Sequence, residues 1–194
     1  MITRVLPDAN VLYSRTLRDW LFLTRNTAKG MYTVITTEDI LAEVVYNYRR
    51  DDPSVDGGII TRLANSLRKN VDEILGDYPS DPQYSASDPN DQHVHAAACT
   101  SGVDMLVTSD QGLLELDDDR YEVMTPDDFF CFADESQPAV IRSVVLEQSA
   151  YWRDSSLTEY LERAGCPEFA KRVKARLAEV LRLPVGKRQT RILR

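Results

Sequence analysis

The chain has 194 residues, 43% of them hydrophobic and 28% charged, which is typical of a globular protein and excludes an intrinsically disordered chain. No apolar run approaches the roughly 20 residues that a membrane span requires, and Pro7 and Asp8 end the N-terminal apolar run too early for a signal peptide. We therefore expect a soluble, cytoplasmic protein without a membrane partner.

The formal net charge of −8 is unevenly distributed along the chain. Residues 171–194 carry a net charge of +8, and residues 1–170 carry −16. An acidic body should repel bare nucleic acid, so a protein of this kind that handles phosphates needs metal ions or a local basic patch. The basic tail is either such a patch or a solvated face that pairs with the acidic body.

Strands alternate with helices in the first part of the chain. The apolar run Ile2–Leu6 predicts a buried strand, and Val11–Asn26 predicts a helix. The short β-branched run Tyr32–Ile35 indicates a strand or a turn. Thr36 or Thr37 then caps the next helix, which has acidic residues in its first turn and apolar residues at helical spacing.

The same alternation continues towards residue 132. The predicted elements are a helix from Ile60 to Ile74 ended by Gly76, a helix from Asp88–Pro89 to Gly102, strands at Met105–Thr108 and Tyr121–Met124, and a short helix ending near Phe132. This order favours an α/β fold with a central parallel sheet flanked by helices.

The pattern changes near residues 134–138, where we place a domain boundary. Residues 139–183 predict helices only. We therefore divide the chain into a first domain at residues 1–133 and an all-helical C-terminal extension with a basic tail at residues 139–194. The extension is too small for a large core of its own and should pack on the first domain.

Acidic residues follow the predicted strands in a way that indicates a metal site. Asp8 and Asp110 come directly after two strands, where open parallel sheets form their sites. Asp91 lies in the first turn of the helix before the second of these strands, and Glu43 lies inside an earlier helix. Four carboxylates without an interleaved Lys or Arg would repel one another unless they bind a hard cation such as Mg²⁺ or Mn²⁺.

Each acid also has a simpler structural interpretation. Asp8 and Asp110 are suited to cap a helix or a turn, and Asp91 is suited to satisfy free backbone N–H groups behind Asp88–Pro89. Glu43 falls to one side of its helix's apolar stripe, beside Asn47, where most glutamates are solvated. The joint placement is more informative than any one residue.

Four segments in this order resemble the PIN-domain ribonucleases, a family that includes the VapC-type toxins of bacterial type II toxin–antitoxin systems. The segments are Asp8-Ala9-Asn10-Val11-Leu12, Ile40-Leu41-Ala42-Glu43-Val44, Asp88-Pro89-Asn90-Asp91-Gln92-His93-Val94-His95-Ala96-Ala97-Ala98 and Leu106-Val107-Thr108-Ser109-Asp110. The resemblance covers roughly residues 1–132. The helical extension resembles that of a subgroup of bacterial PIN toxins.

The resemblance implies a PIN-like three-layer fold and a catalytic, metal-binding acidic site. The family's acids map onto Asp8, Glu43, Asp91 and Asp110, and Asn10 and Thr108 match positions that line that site. The implied activity is hydrolysis of RNA phosphodiester bonds with Mg²⁺ or Mn²⁺, leaving a 5′-phosphate and a 3′-hydroxyl. The implied partners are an RNA substrate and a cognate antitoxin protein; a homodimer is compatible with the sequence but not required by it.

Two other functions are weighed against a ribonuclease. The first is a non-catalytic PIN-like module that binds RNA or protein, against which the four intact acids argue. The second is a Mg²⁺-binding receiver domain. Such a domain has two adjacent acids after the first strand and a lysine after a late strand, whereas Asp8 stands alone and no lysine occurs between Lys69 and Lys171.

The histidines and cysteines are not expected to bind metal. His93 and His95 are two residues apart on a helix, about 200° around its axis, so they cannot both face one metal. Cys99, Cys131 and Cys166 fit neither a disulfide framework nor a zinc knuckle, and we expect them to be packing residues.

Overall fold

The computed structural model describes residues 2–80, 84, 88–116, 118–152 and 156–181. The elements in chain order are β1 (Thr3–Pro7), α1 (Ala9–Tyr13), α2 (Arg15–Ala28), β2 (Tyr32–Thr37), α3 (Glu38–Asp51), α4 (Gly57–Asn70), β3 (Glu73–Leu75), a 3₁₀ turn (Pro89–Asp91), α5 (Gln92–Thr100), β4 (Met105–Val107), α6 (Gln111–Leu114), β5 (Glu122–Met124), α7 (Pro126–Ser136), α8 (Pro138–Trp152), α9 (Leu157–Arg163) and α10 (Pro167–Leu181).

The strands form one five-stranded parallel sheet in the order β3-β2-β1-β4-β5. From β1 the chain moves one way to β2 and β3, and then crosses to the other side of β1 for β4 and β5. Because such crossovers are right-handed, the two directions place helices on opposite faces of the sheet. The expected α/β architecture is confirmed. The direction of winding reverses between β1 and β4, and their carboxyl ends form the topological switch point.

Side-chain caps explain where several helices begin. Thr37 caps α3 by accepting a hydrogen bond from the Ile40 amide at 3.0 Å, as predicted. The segment Val11–Asn26, predicted as one helix, is two. Ser14 ends α1 with an extended backbone and caps α2, accepting from the Leu17 amide at 3.4 Å.

The strand β3 corrects the prediction of a helix from Ile60 to Ile74. That helix, α4, ends at Asn70, and the chain then joins the sheet edge beside β2. Asp72 makes this turn possible, because its amide donates to the Val34 carbonyl at 2.8 Å and its carboxylate accepts from the Val34 amide at 2.8 Å. Edge pairing of this kind overrides the helical spacing of the apolar residues.

The helical extension shares the hydrophobic core with the sheet domain. Phe169 of α10 is fully buried, and its ring lies 4.9 Å from that of Trp20 on α2 and 5.2 Å from that of Phe130 on α7. Helix α8 packs on α2 as well. The extension therefore completes the packing around α2 and α7.

Three of the four basic residues of α10 that the structure describes pair with acids of the same chain. Lys171 lies 2.5 Å from Glu168, and Arg172 lies 2.6 Å from Glu135. Arg176 pairs with the buried Asp134 at 2.5 Å. The remainder of the predicted basic tail, residues 182–194, lies outside the described residues. Within the described ranges, no helix combines the length and apolarity needed to cross a membrane.

We predict that Phe169→Ala lowers the free energy of unfolding by about 3 to 5 kcal/mol, because it removes a buried ring and leaves a cavity beside Trp20 and Phe130. Chemical denaturation followed by tryptophan fluorescence and circular dichroism measures this loss. The matched control is Phe132→Ala on α7, whose side chain is 41% exposed and which should cost far less. Equal effects of the two substitutions would contradict the shared core.

Candidate active site

Asp8 lies at the switch point, at the carboxyl end of β1. Its amide donates to the Val107 carbonyl at 2.9 Å, which ties it to the end of β4. One carboxylate oxygen caps α1 by accepting from the Ala9 amide at 2.6 Å. The residue is only 4% exposed, and this burial raises the pKa of its carboxyl, while hydrogen bonds from Thr108 and Ala9 oppose the rise.

Asn10 and Thr108 hold the second carboxylate oxygen of Asp8. The Thr108 hydroxyl donates to it at 2.7 Å, and the Asn10 amide also donates to it. The same hydroxyl accepts from the Asp110 amide at 2.9 Å. Asn10, predicted to line the site, also accepts from the Ser109 amide at 3.2 Å. These bonds fix the loop after β4 beside Asp8.

Asp110 occupies the corresponding position after β4. One of its carboxylate oxygens caps α6 by accepting from the Leu113 amide at 3.1 Å. Its charge acts on Asp8 and on Asp91, and it raises the pKa of both carboxyls. Asp110 therefore caps a helix, as predicted, and it also lies close enough to Asp8 and Asp91 to act on their carboxyls.

Asp91 lies in the 3₁₀ turn that precedes α5. Asp88 caps this turn, as its carboxylate accepts from the Asn90 amide at 2.8 Å. The Asp91 Oδ2 atom is buried and has no hydrogen-bond partner among the described residues. Burial, together with the charges of Asp110 and Asp8, raises the pKa of Asp91 to about 6.

Glu43 reaches the same cluster from α3. Its carboxyl pKa is raised by burial and by the charge of Asp8, which indicates that the two carboxylates lie close together. Asn47, one turn along α3, hydrogen-bonds to the Glu43 carboxylate. A common cleft of about 800 Å³ is lined by Glu43, Asn47, Asp91 and Asp110.

His93, for which the sequence predicted only that it does not share a metal with His95, is half-buried and also lines this cleft. Its Nε2 atom lies 3.9 Å from the Glu43 carboxylate, and its Nδ1 atom lies 2.7 Å from the Asn90 carbonyl. Its charge, when present, lowers the pKa of both Asp8 and Glu43. The sequence offered one indication that His93 lies near the acids, which is its position two residues after Asp91.

The cleft has the properties of a site for a hard divalent cation. In the part of the chain that the structure describes, no Lys or Arg lies within ion-pair distance of the carboxylates of Asp8, Glu43, Asp91 or Asp110. A buried carboxylate oxygen without a partner, as at Asp91, is costly unless a ligand satisfies it. Carboxylate oxygens are the donors that Mg²⁺ and Mn²⁺ prefer, so the residues fit such an ion.

We predict that Asp91→Asn raises the melting temperature of the metal-free protein at neutral pH. Folding raises the pKa of Asp91 from 3.8 to about 6, so the folded state binds this proton more tightly than the unfolded chain does. The free energy of unfolding of the wild type therefore falls as the pH rises from about 4 to about 6 and stays lower above that range. Calorimetry in the presence of a chelator should show that the difference in melting temperature between the Asp91→Asn protein and the wild type becomes smaller as the pH is lowered.

The exposed Asp119→Asn serves as the control, and it should show no such pH-dependent gap. A melting temperature of the Asp91→Asn protein below that of the wild type at neutral pH would contradict the electrostatic account of the cluster.

Comparison with known proteins identifies the family. A family model described as PIN domain matches residues 4–112, which is more than half of the chain and contains all four acids. Searches of curated proteins and of solved structures give no significant match. The chain therefore belongs to the PIN domain family, whose members are generally nucleases that bind divalent metals.

Proposed function

We propose that the protein is a metal-dependent endoribonuclease whose catalytic and metal-binding residues are Asp8, Glu43, Asp91 and Asp110. The observation that carries the proposal is the unpartnered buried oxygen of Asp91 within a cluster of mutually repelling acids at the switch point. Such an arrangement lowers the stability of the metal-free protein, and binding of Mg²⁺ or Mn²⁺ would offset this loss.

The chain's own residues would prepare the cluster for this task. Bound Mg²⁺ or Mn²⁺ would polarise the scissile phosphate and lower the pKa of a water molecule. Thr108 and Asn10 orient the Asp8 carboxylate, leaving it little freedom to rotate. Backbone N–H groups at the starts of α1 and α6 donate to the carboxylates of Asp8 and Asp110, which holds these side chains in place. The expected products carry a 5′-phosphate and a 3′-hydroxyl.

The rim of the cleft supports single-stranded RNA as the substrate. Tyr46 on α3 is 63% exposed and borders the cleft, where its ring is available for stacking on an unpaired base. Arg50, one helical turn further, also borders the cleft and offers a cation for a phosphate. Stacking together with a positive charge is how proteins hold single strands despite charge repulsion.

We further propose that the protein is the toxin of a toxin–antitoxin pair. An open acidic site in a ribonuclease endangers the cell that makes it, so an inhibitory partner is expected. The net charge of −16 on residues 1–170 would attract a basic segment of an antitoxin, and an Arg or Lys side chain would reach the carboxylates of the cleft. This partner interaction rests on the ribonuclease proposal.

We predict that induced expression of the wild type in a bacterium arrests growth and generates new RNA 5′ ends, whereas Asp8→Asn abolishes both effects. Loss of this buried carboxylate weakens metal binding and disturbs the orientation imposed by Thr108. Growth curves and sequencing of RNA ends provide the measurement. Circular dichroism should show that the variant remains folded.

The matched control is Asp19→Asn, an acid on α2 outside the cleft, which should behave as the wild type. RNA cleavage by the folded Asp8→Asn protein would disprove the assignment of the site. RNA cleavage by the wild type without growth arrest would support the nuclease assignment and contradict the toxin role.

We predict that Tyr46→Ala weakens binding of a single-stranded RNA oligonucleotide by about 5- to 150-fold, since base stacking contributes about 1 to 3 kcal/mol per base. Fluorescence anisotropy with the inactive Asp8→Asn protein measures binding without cleavage. Tyr151→Ala is the control, because this tyrosine is 66% exposed but lies on α8 and borders a different cavity. Equal losses for both variants would argue against stacking at the cleft.

A further inference from the structure

A second group of ligand-type side chains lies outside the acidic cleft, on the other side of α5. His95 and Cys99 are four residues apart and share one face of this helix. Asp118 approaches them from the segment between α6 and β5. His95 is 3% exposed, the side chain of Asp118 is 12% exposed, and Cys99 is partly buried. The three side chains thus meet in a largely desolvated place.

The distances among their ligand atoms match those of a zinc site. The Cys99 Sγ atom lies 3.5 Å from His95 Nε2 and 3.8 Å from Asp118 Oδ2, and these last two atoms are 4.0 Å apart. An ion at the centre of this triangle would be about 2.2 Å from each atom, within the usual range of about 2.0 to 2.3 Å for zinc ligands. Small side-chain adjustments would complete a tetrahedron with water as the fourth ligand.

Neighbouring residues already orient two of the three ligands. The Tyr121 hydroxyl lies 2.7 Å from His95 Nδ1, so it can accept that ring's N–H and leave the Nε2 lone pair directed towards Cys99 and Asp118. The Arg120 guanidinium forks onto the Asp118 carboxylate at 2.6 and 2.9 Å. A carboxylate has about four acceptor positions, so this fork leaves room for a metal bond.

We propose that His95, Cys99 and Asp118 bind a Zn²⁺ ion at a site separate from the acidic cleft. Sulfur and imidazole ligands favour zinc, whereas the oxygen-only cluster of the cleft favours Mg²⁺ or Mn²⁺, so the two sites differ in chemistry. Binding releases the Cys99 thiol proton to solvent and forms a Zn–S bond. The ion ties the segment before β5 to α5, the helix that directly follows Asp91.

Titration of the metal-free protein with Co²⁺, in excess Mg²⁺ that occupies the acidic cleft, tests this proposal. We expect one equivalent of Co²⁺ to produce the thiolate-to-metal charge-transfer band. Cys99→Ser should abolish the band, and Tyr121→Phe should weaken binding about 10- to 100-fold. The band should persist in Asp8→Asn and in Cys131→Ser, which removes another partly buried cysteine. A missing band in the wild type, or a band in Cys99→Ser, would overturn the proposal.

Two measurements on the wild type require no variant of the site. Zn²⁺ at about 100 times its dissociation constant should raise the melting temperature by about 5 to 11 °C in the presence of Mg²⁺. Zn²⁺ should also slow alkylation of Cys99, read by mass spectrometry, without protecting Cys131. Equal alkylation of Cys99 with and without Zn²⁺ would refute the site even if the melting temperature rose.

Discussion

The pairing of β1 with β4 is the constraint on which the rest of the site depends. These strands are separated by about 100 residues of sequence, yet the Asp8 amide bonds the Val107 carbonyl and the Thr108 hydroxyl bonds the Asp8 carboxylate. The direction of winding reverses between them, and open parallel sheets form a crevice at the carboxyl ends of the strands at such a point. Asp110 therefore lines the cleft beside the buried Asp8, and α3 and the 3₁₀ turn before α5 contribute Glu43 and Asp91 to it.

Helix capping and acid clustering reinforce one another at this site. Asp8 and Asp110 each use one oxygen to cap a helix, so partial positive charge at two helix ends offsets part of the repulsion among the carboxylates. Asp91 has no such bond from its Oδ2 atom, and burial together with the neighbouring carboxylates raises its pKa. The cluster thus retains one buried carboxylate oxygen without a hydrogen-bond partner among the described residues, and a bound cation would satisfy it. For Asp8 and Asp110, capping a helix occupies one carboxylate oxygen, so the interpretation as a helix cap does not exclude the interpretation as a metal ligand through the other oxygen.

Much of the sheet domain could be predicted from the sequence because its signals are local. Apolar runs mark β1 and β4, and Thr37 marks the start of α3. The strand β3 could not be predicted, since its stability comes from pairing with β2 rather than from its own three residues. The short distance between His93 and Glu43 could not be predicted either, because it depends on how closely α3 approaches α5.

The residues of the proposed zinc site illustrate a different limit of sequence-based prediction. The spacing of His95 and Cys99 on one helix face is a local signal that was available in the sequence. Asp118, however, comes from an irregular segment whose path no periodicity predicts. The cysteines were therefore expected to be packing residues, and only the folded chain brings a third ligand to this pair.

The ring contacts among Trp20, Phe130 and Phe169 have a consequence for how the protein is made. About 150 residues separate Trp20 from Phe169, so the core around α2 stays open until α10 has left the ribosome. A nascent chain that already contains all four acids still lacks the Phe169 ring, which packs on both Trp20 of α2 and Phe130 of α7. The packing of α10 on α2 and α7 is therefore among the last contacts of the described chain to form during synthesis, well after the segments that carry the four acids have emerged.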